Sequence, residues 1–459
     1  MSNIKKYTIR GLFNSQDVEI PFDDNIKILI GENGLGKTTI LNSLYFLLTK
    51  KWEKLAKIPF ESIELLFDNN SLIYFTKNQL EAIILDDKRQ KKRGNINIIN
   101  QLKSILNIDD FKSVVFKNNE INPQAVLNYI LKNKINQQIV APAGMLVDNA
   151  IRLLTDDFLL IFEDINRIID FELDATILYF PTYRRVEEDL QNLGQLRRFQ
   201  DEDEYNYLFD EEDRVPQNEV EDEILIQFGM EDVEDRIRKV LTKINDSSLT
   251  GFTKVTAEIL SQMLKGFPEV TDQSINKLNK SDIEIILNRV RGNLSDIERN
   301  SIIDLVESPE LKNKRDLVFF LTKLIDIYYQ QRDLDNSIKN FSLVCNKYLV
   351  GKQLVFNESL VQLDIIRTKN SQPVKMNQLS SGEKQIVSIF SKIYLEQHEK
   401  IIVLFDEPEL SLSIEWQKML LTHIVDSKKC DFLLAVTHSP FIFTNELKKY
   451  AIGMNVFID

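Results

Sequence analysis

The chain has 459 residues, of which 43% are hydrophobic and 28% charged, and its formal net charge is −13. These values are typical of a folded globular protein of two to four domains, at about 150 residues each, and they exclude a disordered or collagen-like chain. With two cysteines and three histidines, the chain is also unsuited to a disulfide framework or to a nuclease or deaminase site with several His ligands.

The N-terminus and the cysteine usage indicate a cytoplasmic protein. The first residues lead into alternating, strand-like sequence instead of an apolar signal core. No uncharged run approaches the roughly 18 to 20 residues of a spanning helix, so no membrane partner is expected. We interpret Cys345 and Cys430 as reduced thiols of the core.

The negative charge is concentrated in one segment. Between Glu187 and Glu223 the sequence contains fifteen acids and three arginines, a local balance of −12, so the rest of the chain is nearly neutral and can bind anions locally. This segment is a solvated loop, a docking site for a basic protein or a nucleic-acid mimic. The five cations within Lys88–Arg93 form either a solvated turn or a phosphate contact.

The first 80 residues have the pattern of an α/β domain. Strands are predicted at 6–11, 18–21 and 26–30, and a Gly-rich loop then leads into a helix. Two further strands, 62–67 and 71–76, are joined by a hairpin-like turn. Mostly helical sequence follows from 98 to 170, before a short apolar strand at 176–180.

The middle of the chain is predicted to form an acidic loop and a helical insertion. Its amphipathic stretches, such as 232–244 and 281–290, lack the sustained heptads of a long coiled coil. Strand-like sequence returns at 353–356 and 361–367, and the last eighty residues alternate between helix and apolar strand. We therefore predict an N-terminal lobe at 1–180, an insertion at 181–345 and a C-terminal lobe at 346–459, the two lobes forming one nucleotide-binding domain.

The most specific motif follows the strand at 26–30. It reads Gly31-Glu32-Asn33-Gly34-Leu35-Gly36-Lys37-Thr38-Thr39 and fits the pattern of a glycine, four residues and Gly-Lys-Ser/Thr at the start of a helix. The small residues let backbone amides surround phosphate oxygens, Lys37 reaches the β- and γ-phosphates, and the Thr38 hydroxyl holds Mg²⁺. The motif predicts an ATP site at residues 31–39.

A second motif combines an apolar strand with two carboxylates. Five apolar residues, 401–405, precede Asp406 and Glu407, as in a strand that is buried on both faces of a parallel sheet. Ligands of α/β folds bind at the carboxyl ends of such strands. Asp406 is therefore predicted to join the Mg²⁺ shell, and Glu407 to activate the water that attacks the γ-phosphate.

A third motif, at 379–385, precedes an amphipathic helix and contains Ser380, Ser381, Gly382 and Glu383. A serine at this helix start and Glu383 have the spacing of a capping box. The backbone amides and the serine hydroxyl also make the helix N-terminus a candidate receptor for a γ-phosphate, separate from the first site.

The third motif resembles the signature of ABC-type ATPases, and the order of phosphate loop, signature and acidic strand is similar to that family. His438, in Thr-His-Ser-Pro, resembles the family's switch histidine, and 408–411 take the place of its dimer-contact loop. The resemblance implies a P-loop ATPase head that uses ATP and Mg²⁺ and forms a head-to-tail dimer, in which Ser380–Glu383 act in trans. The turn at 181–185 takes the place of the family's glutamine-bearing loop but carries no glutamine.

The spacing of the motifs distinguishes among several kinds of ABC-type ATPase. The 344 positions between Lys37 and Ser381 argue against a transporter cassette, whose motifs lie close together. Repair and chromosome-organising ATPases split their heads in this way, but usually around a long coiled coil. OLD-family nucleases share the motifs, yet only 21 residues follow His438, too few for their Toprim domain.

The overall arrangement resembles the PtuA family of bacterial Septu anti-phage ATPases, including those attached to retrons, over about residues 1–80 and 350–459. The resemblance implies an ATPase that restrains a separate HNH nuclease, PtuB, and in retron systems a reverse transcriptase with its msDNA. Two alternatives stay open: a repair-type ATPase that clamps duplex DNA, and a scaffold that binds ATP without hydrolysing it. The intact Glu407 argues against the scaffold.

Overall fold

The computed structural model describes residues 4–32, 34–90, 96–106, 111, 114, 116–117, 120–121, 123–139, 141–182, 230–289 and 295–459. Asn33, the acidic segment at 187–223 and the side chains of the basic cluster at 88–93 lie outside these residues. The chain divides into two compact units. The first comprises Met1–Thr182, Glu399–Leu410 and Gln417–Asp459, and the second comprises Tyr183–His398 and Ser411–Trp416.

The described elements of the first half of the chain are β1 (Ile4–Leu12), β2 (Gln16–Pro21), β3 (Ile26–Ile30), α1 (Lys37–Leu48), α2 (Trp52–Ala56), β4 (Ser62–Phe67), β5 (Leu72–Thr76), α3 (Lys77–Gln90), α4 (Ile96–Ile105), β6 (Phe116–Lys117), β7 (Glu120–Ile121), α5 (Pro123–Lys132), α6 (Ile135–Gln138), α7 (Ala143–Glu172) and β8 (Thr176–Phe180).

The second half contains α8 (Met230–Lys265), α9 (Asp272–Asn276), α10 (Lys280–Arg289), α11 (Asp296–Val306), α12 (Arg315–Cys345), β9 (Lys352–Asn357), β10 (Gln362–Arg367), α13 (Ser381–Leu395), β11 (Ile401–Asp406), α14 (Ile414–Val425), β12 (Cys430–Thr437) and β13 (Ala451–Gly453). Short 3-10 turns lie at Pro309–Asn313, Met376–Gln378, Pro440–Ile442, Glu446–Tyr450 and Met454–Phe457.

Two sheets organise the first unit. One has the order β13-β3-β12-β11-β8, and its neighbouring strands are all parallel. The other is antiparallel, with the order β2-β1-β4-β5, and its β4–β5 pairing confirms the predicted hairpin. Every residue of β11 is buried, which is why this strand is apolar throughout up to Asp406.

Helix α1 joins the cores of the two sheets. Its apolar face, including Leu41 and Leu44, belongs to one buried cluster together with side chains of both sheets. On the antiparallel side, the buried Tyr7 hydroxyl donates to Ser43 Oγ at 2.8 Å. This packing fixes the start of α1 against the carboxyl ends of the parallel strands. A separate helical cluster of the same unit packs α7 on α3, α4 and α5.

The second unit is built around three helices, α8, α12 and α13, which pack on one another, and the hairpin β9–β10. The stretch predicted as a helix at 232–244 is the beginning of α8, which is 36 residues long. Its apolar periodicity weakens after Ile244, but the helix continues because it packs along α12. Gly251 permits a close approach there, since a Cβ at that position would lie 2.8 Å from the Ile327 side chain.

Both cysteines are free. Cys345 is buried, as expected, but Cys430 at the start of β12 is only partly buried, so the prediction that both are core thiols is wrong for Cys430. Among the described residues, no helix is both long enough and apolar enough to cross a membrane.

Candidate functional site

The loop between β3 and α1 has the backbone shape that the glycine pattern predicts. Gly34 and Gly36 have φ angles of 91° and 74°, in the left-handed region that favours glycine. Gly36 directly precedes α1, and a Cβ there would lie 3.1 Å from Phe13 Cε2. Gly31, Glu32 and Leu35 complete the described part of the loop, and Thr39 lies in the first turn of the helix.

Lys37, the first residue of α1, is turned into this loop. Its side chain is buried, and its ammonium donates to Gly31 O at 2.9 Å and to Glu32 O at 2.8 Å. It also lies 2.7 Å from His438 Nε2. Burial lowers the pKa of Lys37, opposed first by Glu407. A lysine cation that contacts two backbone carbonyl oxygens at the start of a helix suits an incoming anion.

Three oxygen-bearing side chains meet beside Lys37. The Thr38 hydroxyl donates to the Asp406 carboxylate, at 2.9 Å from Oδ2 and 3.1 Å from Oδ1. The Thr182 hydroxyl, just after β8, donates to Asp406 Oδ2 at 2.7 Å. Asp406 is buried at the end of β11. Carboxylate and hydroxyl oxygens are ligands of the kind that hold Mg²⁺ together with phosphate and water. Thr38 and Asp406 therefore fit that ion.

Glu407 is the first residue after β11 and has a strained backbone. Its φ angle is 49°, rare for a non-glycine residue, and its amide donates to Val436 O at 2.9 Å. Its Oε1 lies 3.3 Å from His438 Nε2. Burial, and then the neighbouring Asp406, raise the pKa of Glu407 above its usual range. The strained turn thus aims a second carboxylate toward the histidine and lysine.

A third carboxylate holds the histidine segment. Glu409 Oε1 accepts from the backbone amides of His438 at 2.7 Å and Ser439 at 3.0 Å, and Glu409 Oε2 accepts from the Thr437 hydroxyl at 2.8 Å. The sequence places Glu409 in the 408–411 loop and Thr182 in the 181–185 turn but predicts neither of these contacts. A signal existed for each, because Glu409 follows Glu407 by two positions and Thr182 lies two positions after the end of β8, a strand that pairs with β11.

The signature residues lie in the second unit, at the start of α13. Ser380 is the N-cap, and it forms the expected capping box with Glu383. Ser381 is exposed, whereas Gly382 is buried, and a Cβ on Gly382 would lie 2.6 Å from Ser411 O. The glycine is therefore required for close packing on the 411–416 segment.

Lys352 of β9 neutralises the glutamate of the signature. Its ammonium lies 2.8 and 2.9 Å from the two oxygens of Glu383, and Glu383 Oε2 also accepts from the Ser380 amide at 2.8 Å. Burial opposes ionisation, but Lys352 and Ser380 together hold the pKa of Glu383 below its usual range. Glu383 is thus held by Lys352 and by the helix start that it caps, whereas Ser381 is exposed.

The structure therefore brings together, in the first unit, Lys37, Thr38, Asp406, Glu407 and His438. The P-loop lies at a helix N-terminus, Asp406 ends one parallel strand, and His438 directly follows the adjacent parallel strand. In the sequence, a mainly helical insertion separates the strands of this sheet. These features define an ABC-type P-loop ATPase head. The chain belongs to the AAA ATPase domain family, which its residues 3–443 match. It is an ATPase that binds ATP.

Known proteins show more distant similarity. The DNA replication and repair protein RecF of Halalkalibacterium halodurans is 31% identical over 55 residues, which are 12% of this chain and 15% of that protein. The matched region therefore spans less than a fifth of that relative's length.

Two solved structures are also similar. The Smc head domain with an extended coiled coil, bound to the C-terminal domain of ScpA and derived from Pyrococcus furiosus, is 14% identical with a TM-score of 0.32, over 97% of this chain and 92% of that one. The SmcHead bound to the C-winged helix domain of ScpA is 11% identical with a TM-score of 0.31, over 96% and 91%.

Proposed function

We propose that this protein hydrolyses ATP as a head-to-tail dimer and that hydrolysis controls a partner nuclease in a bacterial anti-phage defence complex. The observation that carries the catalytic part is the cluster of Lys37, His438 and Glu407 beside the Thr38–Asp406 pair. Each of these groups has the chemistry required for one part of phosphoryl transfer to water.

Binding of the nucleotide follows from the loop. The phosphates replace the carbonyl and histidine partners of Lys37, and the loop amides and the positive end of α1 hold them in place. When bound, Mg²⁺ neutralises the phosphate oxygens, and Thr38 and Asp406 are the residues that would hold it. Thr182 keeps the Asp406 carboxylate oriented through its 2.7 Å hydrogen bond.

The reaction then needs a base and a group that contacts the γ-phosphate. Glu407 takes a proton from the attacking water while the water oxygen bonds to the γ-phosphorus and the bond from phosphorus to the bridging oxygen breaks, which yields ADP and phosphate. His438 contacts the γ-phosphate. From the partner subunit, Ser381 and the amide of Gly382 at the start of α13 complete the site, as the signature resemblance implies.

Glu407→Gln tests the catalytic part. The amide keeps the size of the side chain but cannot accept the proton, so ATP turnover is expected to fall by about 10²- to 10⁴-fold. Binding of ATP should persist. An unchanged rate of phosphate release in the variant would contradict the role of Glu407.

Co-purification tests the defence part. The wild-type protein and Glu407→Gln are each purified from the native operon with ATP present, and every bound protein and nucleic acid is identified. The Septu resemblance predicts a small HNH nuclease and, in a retron, a reverse transcriptase with msDNA. If the complex contains neither, the restraining function is refuted.

The local match to a DNA replication and repair protein favours a second candidate, an ATPase that clamps duplex DNA. This function predicts that Glu407→Gln with ATP retains closed circular duplex DNA through a high-salt wash and releases it after linearisation. The wild type should retain less, because hydrolysis opens the dimer.

A further inference from the structure

The carboxylate of Glu409 is fully engaged by one short segment of the chain. It accepts three hydrogen bonds, of 2.7, 3.0 and 2.8 Å, from the consecutive residues His438, Ser439 and Thr437. Two of the donors are backbone amides just beyond the end of β12, where the strand can no longer pair them. Such amides are costly to leave without an acceptor. The Ser439 amide also donates to the Thr437 hydroxyl at 3.0 Å, so the His438 amide is the one that depends most on Glu409.

Gln417 of α14 closes this arrangement from the other side. Its Oε1 accepts from the Ser439 hydroxyl at 2.6 Å, and its Nε2 donates to the backbone oxygen of Glu409 at 3.3 Å. The turn after β11 and the segment after β12 are thus joined by side chains as well as by strand pairing. Both ends of the connection lie in the first unit.

The segment that Glu409 holds carries the imidazole of the candidate site. His438 Nε2 lies 2.7 Å from Lys37 Nζ and 3.3 Å from Glu407 Oε1. Small displacements of a group that contacts the transferred phosphoryl lower the rate strongly, because its stabilisation depends on geometry. The backbone of residue 438 therefore has to be fixed, and Glu409 supplies the acceptors that fix it.

We propose that Glu409 is a positioning residue that acts on ATP hydrolysis through His438. This inference rests on the proposed function, since it requires that His438 contact the γ-phosphate. The Glu409 carboxylate is directed at residues 437–439, so we expect its loss to lower kcat while the affinity for ATP is retained. It also joins the turn that carries Glu407 to the histidine, so the base and the histidine keep their mutual distance.

The experiment compares Glu409→Ala and Glu409→Gln in the full-length protein, with Glu399→Ala as a control for an exposed carboxylate of the same unit. Glu409→Ala should lower kcat about 30- to 100-fold and change the Kd of ATP less than about 3-fold. Glu409→Gln should stay within about 5-fold of the wild type. The glutamine amide oxygen can accept from both backbone amides. Its NH₂ can donate to the Thr437 hydroxyl, because a hydroxyl oxygen accepts hydrogen bonds as well as donating one.

A double-mutant cycle separates positioning from a merely structural role. If Glu409 acts through His438, adding Glu409→Ala to His438→Ala should change kcat less than about 3-fold, although each single change costs much more. Equal losses in both backgrounds would overturn the inference, and so would a wild-type rate for Glu409→Ala. If Glu409→Ala does not fold, Glu409→Asp, whose carboxylate is one methylene shorter, takes its place in the cycle.

The same measurements distinguish failure of the inference from failure of the proposed function. A wild-type protein without ATPase activity, or a His438→Ala variant with full activity, would refute the proposed catalysis and this inference with it. A strong effect of His438→Ala combined with no effect of Glu409→Ala would refute only the role of Glu409. Nucleotide affinity is measured by calorimetry on the samples used for the rates.

Discussion

Lys37 Nζ and His438 Nε2 lie 2.7 Å apart, although 401 positions separate the two residues in the sequence. The contact arises because β3 and β12 are neighbouring parallel strands in which Ile30 pairs with Thr437. Both strands end at the same edge of the sheet, so the phosphate loop that follows one meets the histidine that follows the other. The P-loop and the last motif of the chain thus form one site.

Removing the Lys37 ammonium should weaken nucleotide binding. In Lys37→Ala the phosphates lose a charge-assisted partner worth about 1.5–3 kcal/mol, so the Kd of ATP is expected to rise about 10- to 100-fold. Calorimetry with ATP and Mg²⁺ checks this. Lys57→Ala, at an exposed lysine of the same unit, is the control and should bind like the wild type. Equal affinities of both variants would contradict the assignment of the site.

Loss of the ion pair between Lys352 and Glu383 should lower both the stability of the protein and its ATP turnover. In Lys352→Ala the buried Glu383 loses its cation, and the free energy of unfolding should fall by about 3 kcal/mol. The helix start also becomes more negative, so ATP turnover should fall while ATP binding is kept. Urea denaturation and ATPase rates test this, with the exposed Lys369→Ala as control. A loss of ATP affinity without a loss of turnover would contradict this prediction.

The sequence is sufficient to predict elements that obey local rules. The strand at 26–30 and the P-loop were predicted because periodicity and glycine spacing are local, and the structure confirms the strand. The length of α8 was not predictable, because after Ile244 the helix depends on packing against α12, a contact that no short window contains.

The residues that support the site illustrate the same limit. Thr182 contacts a carboxylate 224 positions away, and Glu409 contacts amides 29 and 30 positions away. Glu409 lies in the 408–411 loop and Thr182 in the 181–185 turn, but the resemblance of these loops to the family predicts neither contact. Only the strand order β12-β11-β8, which is a tertiary property, places these side chains beside the motif residues.

Two glycine substitutions should have opposite effects on stability. Gly36 has a φ of 74° and lies close to Phe13, so Gly36→Ala should lower the free energy of unfolding by about 1–2 kcal/mol and weaken ATP binding. At Gly144, in the first turn of α7, an added Cβ meets nothing within 4 Å, and Gly144→Ala should raise the free energy of unfolding by about 0.4–1 kcal/mol. Thermal unfolding measures both. A stabilised Gly36→Ala protein would contradict the loop geometry.

Lys392 on α13 should make stability depend on alkaline pH. Burial, and then Arg236, lower its pKa from 10.5 to about 8, against the opposing charges of Glu396 and Asp232. Between about pH 8 and 10.5 the unfolded chain binds more protons at this lysine than the folded protein does. Its contribution to the free energy of unfolding therefore rises with pH across this window and is lowest below pH 8.

Lys392→Met removes this titration. The variant should be more stable than the wild type by about 2–3 kcal/mol at pH 7, and the difference should shrink toward pH 10.5. Urea denaturation at several pH values measures this difference. The contributions of groups that titrate in both proteins cancel when the two are compared. A difference between the two proteins that is independent of pH would contradict the lowered pKa of Lys392.

The composite site is tested most directly by mixing two inactive proteins. Lys37→Ala lacks a working P-loop but keeps its signature, and Ser381→Arg blocks the signature but keeps its P-loop. In a head-to-tail dimer of one copy of each, one of the two sites combines an intact P-loop with an intact signature. We expect ATPase activity to reappear on mixing, although each variant alone is inactive. If the mixture stays as inactive as its components while dimers still form, the ATP site is not shared between subunits.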